Sequence, residues 1–391
     1  MRFGADAVYL AADRFGMRRR ASNFALADIP GAVAFAHAAG ARVHAALNTL
    51  MDADDIAALP AYCEALAEAG VDAFIVSDLG ALAVARRHAP HAALHVSTQA
   101  SVMNAEAARM WHELGASRVV CAREMSVEDI ARLRDDAPRE LELEAFVHGA
   151  MCVAFSGRCL LSAAMAGRSG NKGHCAQPCR WGYAMVEEQR PAEFYPVEED
   201  VRGTYVMNAQ DLNMLAHLED LSAAGIDSLK IEGRNKKAYY VATVVHAYRA
   251  VLDGADPADI ASELEAVSHR PYGTGFYYGP ADQSTERDGY MKERLHAATV
   301  EECAPEGEER WRATVICRNR FREGDELEAL SPCRPRERLT VRDLVWLPES
   351  DGSCGALEPA AVAVANRSAE RYSFVSDVPL RAGDFLSIGL G

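Results

Sequence analysis

The chain has 391 residues, a hydrophobic content of 49% and a formal charge of −16 at pH 7. This length allows one large and one small domain, and the composition is typical of a globular enzyme. The net negative charge argues against indiscriminate binding of nucleic acid, but it does not exclude a local basic patch. The N-terminus has no signal-peptide pattern, and no window has the apolar length of a membrane helix. We therefore expect a cytoplasmic protein with no membrane partner.

One pattern recurs along the first 250 residues: an alanine-rich amphipathic helix, a glycine and a short β-branched run. Gly40, Gly70, Gly115 and Gly225 stand where a helix C-terminus favours a left-handed residue. The runs that follow are continuous rather than alternating, as in strands covered on both faces. Alternating helices and strands predict a parallel sheet. The candidate strands are 6–10, 42–47, 73–77, 93–97, 118–122, 142–147, 204–207 and 228–231.

About eight such units predict an α/β fold, a TIM-like (β/α)8 barrel. A doubly wound sheet is the alternative, but no glycine-rich dinucleotide or P-loop turn follows any strand. We assign residues 1–255 to the barrel, with a cysteine-rich insertion at 150–183. Residues 256–300 form a linker or bridging segment. The stretches REGD and RAGD are predicted to be hairpin turns, and with the short strands around them they predict a small C-terminal β-barrel domain over 301–391.

Polar residues follow the predicted strands, at the end where a barrel carries its chemistry. Helix capping explains some of them individually, Asp78 in particular. Their recurrence predicts that most of them share one cavity at the barrel mouth. The residues are Asn48, Asp78, Thr98, Gln99, Arg123, His148, Glu232 and Arg234.

Four of the ten cysteines lie close together in AMCVAFSGRCLLSAAMAGRSGNKGHCAQPCRW: Cys152, Cys159, Cys175 and Cys179. In a reducing compartment clustered cysteines indicate metal binding or catalysis rather than disulfides. Thiolates suit zinc or an iron–sulfur cluster, and the spacing leaves both open. Cys63, Cys121 and Cys317 lie in apolar periodic runs and are typical of core residues.

The stretch EAFVHGAMCVAFSGRCLLS resembles the signature of the collagenase-like peptidase family, the thirty-second of the unclassified peptidases. The resemblance extends to GADAVYLAADRFGMRRRASNF, VSDLGAL, LHVSTQAS, the HCAQPCRW block, KIEGRNKKAYYVATV and TGFYYGP. Family members carry a strand and a helix ahead of the GADAVYL stretch. The resemblance therefore implies one of two things: the start is truncated or misassigned, or the barrel lacks its first strand and 204–207 is part of a loop.

The resemblance leaves RNA, quinone and peptide open as substrates, because related members hydroxylate ubiquinone without oxygen or modify ribosomal RNA; we favour RNA modification. One branch of the family supports 5-hydroxylation of wobble uridine in tRNA, with prephenate as the expected hydroxyl donor. Several members carry a [4Fe-4S] cluster on this cysteine block, which makes Cys152, Cys159, Cys175 and Cys179 the expected ligands. An accessory protein of the same family is a further expected partner.

On this reading four residues have catalytic roles: His148, Arg123, Glu232 and Arg234. Substrate binding falls to Asn48, Asp78, Thr98, Gln99, Arg158 and Arg180. The planar guanidinium groups among them suit a prephenate-like dicarboxylate. The arginine-rich stretch 310–342, with nine arginines against five acids, and Arg18 to Arg20 are candidates to contact phosphates.

Two other function classes stay open. A peptidase would need an activated nucleophile, for which His148 beside Cys152 or Cys159 is the candidate pair. It would leave Cys175 and Cys179 without a role, and the chain has neither HExxH nor GxSxG. A non-catalytic scaffold that binds RNA through the C-terminal domain is the third reading, which polar strand ends at one mouth disfavour.

Overall fold

The structure, a computed structural model, describes residues 1–17, 23–152, 155, 158–181, 184–187, 190–196, 210–281, 290–348 and 358–390. It divides into two compact units. Unit 1 comprises Met1, Ala5–Lys236 and His269–Gly289, and unit 2 comprises Arg2–Gly4, Lys237–Ser268 and Tyr290–Gly391. This division runs across the predicted boundary at residue 255, since residues 237–255 fall in unit 2.

Unit 1 is a mixed α/β unit built on a mostly parallel sheet. Its strands are β1 (Ala7–Leu10), β2 (Arg42–Leu47), β3 (Ala73–Val76), β4 (Ala93–Val96), β5 (Arg118–Val120), β6 (Glu142–Ala150), β7 (Ala184–Glu187), β8 (Arg190–Pro196), β9 (Asp211–Asn213), β10 (Ser228–Ile231) and β11 (Tyr272–Gly273). Strands β1 to β6 pair in chain order and in parallel. Seven predicted strands are thereby confirmed, and the eighth, at 204–207, lies outside the described residues.

Helices follow most of these strands: α1 (Ile29–Ala38), α2 (Ala53–Glu68), α3 (Leu79–His88), α4 (Ala105–Glu113), α5 (Val127–Asp136), α6 (Leu161–Ala166) and α7 (Leu218–Ala223). Local sequence sets their starts, since Asp52 and Ser126 each form a capping box at the N-termini of α2 and α5. Gly70 adopts a φ of +85° after α2, as predicted. Among the helices that the structure describes, none has both the length and the apolar character of a bilayer crossing.

Strand β6 is the branch point of the sheet. It pairs in parallel with β5 and with β10, and its last residues pair antiparallel with β9. Within the described ranges, no strand ladder joins β10 back to β1. Their side chains nevertheless meet, because Lys230 Nζ lies 4.6 Å from the centre of the Tyr9 ring. The parallel sheet is confirmed, whereas its closure into an eight-stranded barrel stays a prediction.

Polar side chains from alternate strands share the inner face of this sheet. The rings of His44 on β2 and His95 on β4 are 4.7 Å apart at their centres and cross at 85°. Burial lowers the pKa of His44 to about 4 and that of His95 to about 3. Side chains of alternate strands meet in this way when a parallel sheet is strongly curved, as in the layers of a barrel interior. Both imidazoles are therefore neutral near pH 7.

Unit 2 combines two helices, α8 (Ala238–Leu252) and α9 (Pro257–Glu265), with an antiparallel sheet. Its strands are β12 (Arg294–Gly307), β13 (Arg310–Cys317), β14 (Phe321–Arg322), β15 (Glu326–Leu330), β16 (Glu337–Thr340), β17 (Arg342–Leu347), β18 (Ala360–Ala361), β19 (Val364–Ala365), β20 (Arg371–Ser376) and β21 (Phe385–Gly389). The main sheet has the order β16-β15-β21-β12-β13-β20-β17-β18. The predicted C-terminal β-domain is present, and its closure into a barrel stays a prediction.

The REGD and RAGD stretches form equivalent tight turns. Gly324 and Gly383 both have a φ of +84°, and Asp325 and Asp384 accept the backbone N–H three residues earlier. The prediction of hairpins at these turns is wrong, because β14 pairs with β19 and β21 pairs with β12 and β15. A turn fixes the local backbone, whereas the choice of strand partner is set by long-range packing.

We expect the free energy of unfolding to fall when the pH is lowered from 7 to 5. The unfolded chain protonates His44 near its ordinary pKa of 6.5, whereas the folded protein does so only near 4. This difference corresponds to about 2 kcal/mol at pH 5. Urea unfolding at both pH values will measure the loss, and His44→Gln will reduce it. The exposed His91 provides the control, since His91→Gln should leave the pH dependence unchanged.

Candidate functional site

A cavity of about 160 Å³ lies at the carboxyl ends of the parallel strands of unit 1. Ends of parallel strands face the same edge of a sheet, so the residues that follow them converge. Nine of the predicted site residues line it: Asn48, Thr98, Gln99, Arg123, Cys152, Cys159, Cys175, Glu232 and Arg234. The strand-end pattern in the sequence therefore located the cavity.

Two of these side chains hold the cavity wall together. Asn48 accepts the N–H of Met17 at 3.1 Å and donates to Ser97 Oγ at 3.2 Å. Thr98 Oγ1 donates to the carbonyl of Cys121 at 3.1 Å. The side-chain amide of Gln99, by contrast, makes no hydrogen bond within the described part of the chain. Its donor and acceptor are therefore available to a ligand.

Arg123 is held rigidly in this wall. Its guanidinium carbon lies 3.7 Å from the centre of the Phe146 ring, and Nη1 donates to the carbonyl of Ala150 at 2.8 Å. The buried Nε has no hydrogen-bond partner among the described residues. A guanidinium stacked on an aromatic ring keeps its charge and its planar set of donors. Arg123 can thus grip a carboxylate without first being ordered.

Glu232 and Arg234 follow β10 and are placed by close backbone packing. Gly149 has a φ of +108°, and a Cβ there would lie 2.6 Å from the Glu232 carbonyl oxygen, so only glycine permits this approach. Glu232 Oε1 accepts the backbone N–H of Arg234 at 3.1 Å, and Arg234 Nη2 donates to Asn23 Oδ1 at 3.1 Å.

Sequence reasoning missed Lys230, a further cation on the cavity wall. Its Nζ donates to Glu144 Oε1 at 2.5 Å, and Arg118 Nη1 donates to Glu144 Oε2 at 2.9 Å. Burial alone raises the pKa of Glu144, but Lys230 and Arg118 outweigh it and bring that pKa to about 2. The available signal was a charged residue inside an otherwise apolar strand, SLKI, since buried charges require a partner.

Residues 152, 155 and 158–181, here named the cysteine segment, close one side of the cavity. The segment contributes Cys152, Phe155, Cys159, Gly170, Asn171, Gly173, Cys175 and Gln177 to its wall. Lys172 anchors it by ion pairs to Asp52 and Asp55 at the start of α2. The N–H of Gln177 donates to Cys175 Sγ at 3.3 Å and thereby holds this side chain in place.

The cysteine segment fits an iron–sulfur cluster in its donor chemistry. Three thiols share the cavity, and the fourth predicted ligand, Cys179, is half-buried a few residues further on. Within the described ranges, no three His, Cys, Asp or Glu side chains are arranged to hold a metal ion. The convergence of the four sulfurs on one point stays a prediction, and spacing and donor type alone do not choose between zinc and iron–sulfur.

Four other predicted residues lie elsewhere. His148 is fully buried and is not on the cavity wall; its ring packs against Tyr272, and burial lowers its pKa to about 3. Asp78 caps α3 by accepting the N–H of Ala81 at 3.0 Å. Arg158 is exposed on the cysteine segment, and the Arg180 side chain lies outside the described part of the chain.

The arginine-rich stretch of unit 2 is largely neutralised. Six of its nine arginines form ion pairs with acidic residues: Arg310, Arg312, Arg334, Arg336, Arg338 and Arg342. Several of these acids lie outside 310–342, among them Glu263, Glu306 and Asp377, so the local count overstated the free positive charge. The expectation that these six contact phosphates is therefore not supported. Arg18 to Arg20 lie outside the described residues.

Comparison with known proteins places this chain in a family. Residues 1–287 match the family model described as Peptidase family U32. The chain is 36% identical over 360 residues to tRNA hydroxylation protein P1 of Bacillus subtilis, covering 90% of this chain and 84% of the relative. It is 33% identical over 377 residues to tRNA hydroxylation protein P of Escherichia coli, covering 84% and 82%. A 23S rRNA 5-hydroxycytidine synthase of Escherichia coli is 37% identical over 250 residues, covering 64% of this chain and 36% of that protein.

We expect Glu144→Gln to lower the free energy of unfolding by about 3 kcal/mol, because it leaves the buried Lys230 without its counter-charge. Urea unfolding at pH 7 measures the effect. Glu142 is the matched control: it also pairs with Arg118, at 2.7 Å, but its side chain is 47% exposed. Glu142→Gln should cost less than about 1 kcal/mol. Equal losses for the two variants would contradict the assigned role of Glu144.

Proposed function

The chain belongs to peptidase family U32, and we propose that within this family it is an enzyme that hydroxylates C5 of a pyrimidine in RNA. The names of the relatives support the reaction class, since they describe tRNA hydroxylation and 5-hydroxycytidine synthesis. The observation that carries the proposal is the cavity itself, which is lined by three thiols, three cations and several aromatic rings. Hydroxylation needs a redox-capable centre and an oxygen donor, rather than a hydrolytic acid–base pair.

Within this class we propose the wobble uridine of tRNA as the substrate and prephenate as the hydroxyl donor. Lys230 is already paired with Glu144, whereas Arg123 and Arg234 share the cavity wall with a single carboxylate, Glu232, which leaves a surplus of positive charge suited to a carboxylate-bearing donor. Arg123 is already fixed by Phe146, so it can bind a carboxylate in bidentate fashion. The free amide of Gln99 is placed to hydrogen-bond the edge of a base.

We further propose that Cys152, Cys159, Cys175 and Cys179 hold a [4Fe-4S] cluster. When bound, such a cluster supplies electron transfer at the cavity wall. Contacts within the segment hold Cys175 in place: the Gln177 N–H donates to its Sγ, and Arg168 donates to the carbonyls of His174 and Cys175. Cys175 is one of three thiols that line the same cavity as the cations.

The peptidase reading gains no support from the geometry. A Cys–His nucleophile pair needs the imidazole within hydrogen-bond reach of the thiol. His148 is fully buried against Tyr272, and it is absent from the wall that carries Cys152 and Cys159. Its pKa of about 3 also makes it a weak base.

The proposal predicts that Cys175→Ala abolishes 5-hydroxyuridine in tRNA. The test uses an Escherichia coli strain that lacks its tRNA hydroxylation protein P, complemented with this chain and grown anaerobically so that dioxygen supplies no hydroxyl. Mass spectrometry of tRNA nucleosides gives the readout. Cys333, an exposed cysteine of unit 2, is the matched control, and Cys333→Ser should retain wild-type levels. Normal 5-hydroxyuridine with Cys175→Ala would refute the role of this cysteine.

A further inference from the structure

The cysteine segment lies in a part of the chain that has no acidic residue. Residues 145–186 contain neither Asp nor Glu, although the chain has 57 acidic residues in 391. The same stretch carries four cationic residues, Arg158, Arg168, Lys172 and Arg180. In a protein with a formal charge of −16, this stretch itself adds no charge that repels an anionic partner, and Asp52 and Asp55, which contact it, are paired with Lys172.

Large apolar side chains are exposed on the same segment. Phe155 is 42% exposed, Leu160 68%, Met165 45% and Trp181 45%. Single exposed apolar residues are normal on protein surfaces, whereas several within one short segment indicate an interaction site. Phe155 also lines the cavity, so the exposed apolar surface continues into the site.

The cations of the segment differ in whether an acidic side chain neutralises their charge. Arg158 is exposed and has no acidic partner among the described residues. Arg168 donates only to backbone carbonyls, of His174 at 2.9 Å and Cys175 at 3.1 Å, which leaves its positive charge unneutralised. The charge of Lys172 is instead neutralised by Asp52 and Asp55, and these ion pairs anchor the segment to α2. Two cations therefore stay available.

We infer that the cysteine segment is the docking surface for single-stranded RNA. Bases stack on Phe155 and Trp181, and phosphates face Arg158 and Arg168. Proteins recognise unpaired RNA in this way, with aromatic rings against base faces and cations along the backbone. A loop bound on this segment has its neighbouring nucleotide at the cavity mouth. The inference rests on the proposed function and adds where the RNA binds.

The test measures binding of the full chain to a fluorescent RNA stem-loop with an unpaired loop, by anisotropy at several salt concentrations. We expect Trp181→Ala to weaken binding about tenfold through lost stacking. Arg158→Glu should weaken it by a similar factor and make the salt slope shallower by about 1. Each variant has a matched control on unit 1: Phe35→Ala removes an aromatic ring that is 71% exposed on α1, and Arg87→Glu reverses an exposed charge on α3. Both controls should bind as wild type.

Several outcomes separate this inference from the proposed function. If Trp181→Ala and Arg158→Glu bind the stem-loop as wild type while wild type still restores 5-hydroxyuridine, the docking surface is wrong and the function stands. If wild type neither binds RNA nor restores the nucleoside, both fail. If the two variants instead lose a protein partner and keep RNA binding, the segment is a protein interface and the inference is overturned. Circular dichroism and thermal melting confirm that each variant is folded.

Discussion

Three neighbouring strands of the parallel sheet meet at the carboxylate of Glu144. Arg118 at the start of β5, and Ser228 and Lys230 on β10, donate to it from both sides at 2.5–2.9 Å. A buried carboxylate without partners costs several kcal/mol, so these four side chains keep β5, β6 and β10 in one register. Glu232 and Arg234 follow β10 directly, and their place on the cavity wall therefore depends on this buried contact.

The same contact decides the electrostatics of the cavity. Glu144 carries one negative charge between two cations, and the pKa of about 2 keeps it ionised throughout the physiological range. Glu142 pairs with Arg118 as well, so the two carboxylates balance Lys230 and Arg118, and the positive charge of the cavity wall comes from Arg123 and Arg234. Because the imidazoles of His44 and His95 are neutral, they add no further charge on this face. A cavity of this kind favours anions without exposing an unpaired lysine to the protein interior.

Much of this arrangement could be predicted from the sequence. Glycine stops and continuous apolar runs located seven strands, the residues after those strands located six cavity residues, and the cysteine cluster located three more. His148 was misplaced because β6 continues to Ala150, where it pairs with β9 from a segment about sixty residues away. Such long-range pairing leaves no local signal. Lys230 was missed because the search considered only residues that follow strands, and Lys230 lies inside β10. Its partner Glu144 is on β6, and the sequence does not show that these two strands are neighbours.

The overstated positive charge of the stretch 310–342 has a related cause. Counting charges along 310–342 treats neighbours in sequence as neighbours in space, but antiparallel strands bring in acids from other strands, and α9 supplies Glu263. A stretch that lacks acids altogether is a different signal, because it limits neutralisation to contacts from outside, as for Lys172. Charges separated by more than a Debye length of about 8 Å are largely screened at physiological salt. An acidic protein can therefore bind RNA where its local surface has few unpaired acids. Residues 145–186 contribute no acid of their own, and Asp52 and Asp55, which contact this stretch, are paired with Lys172.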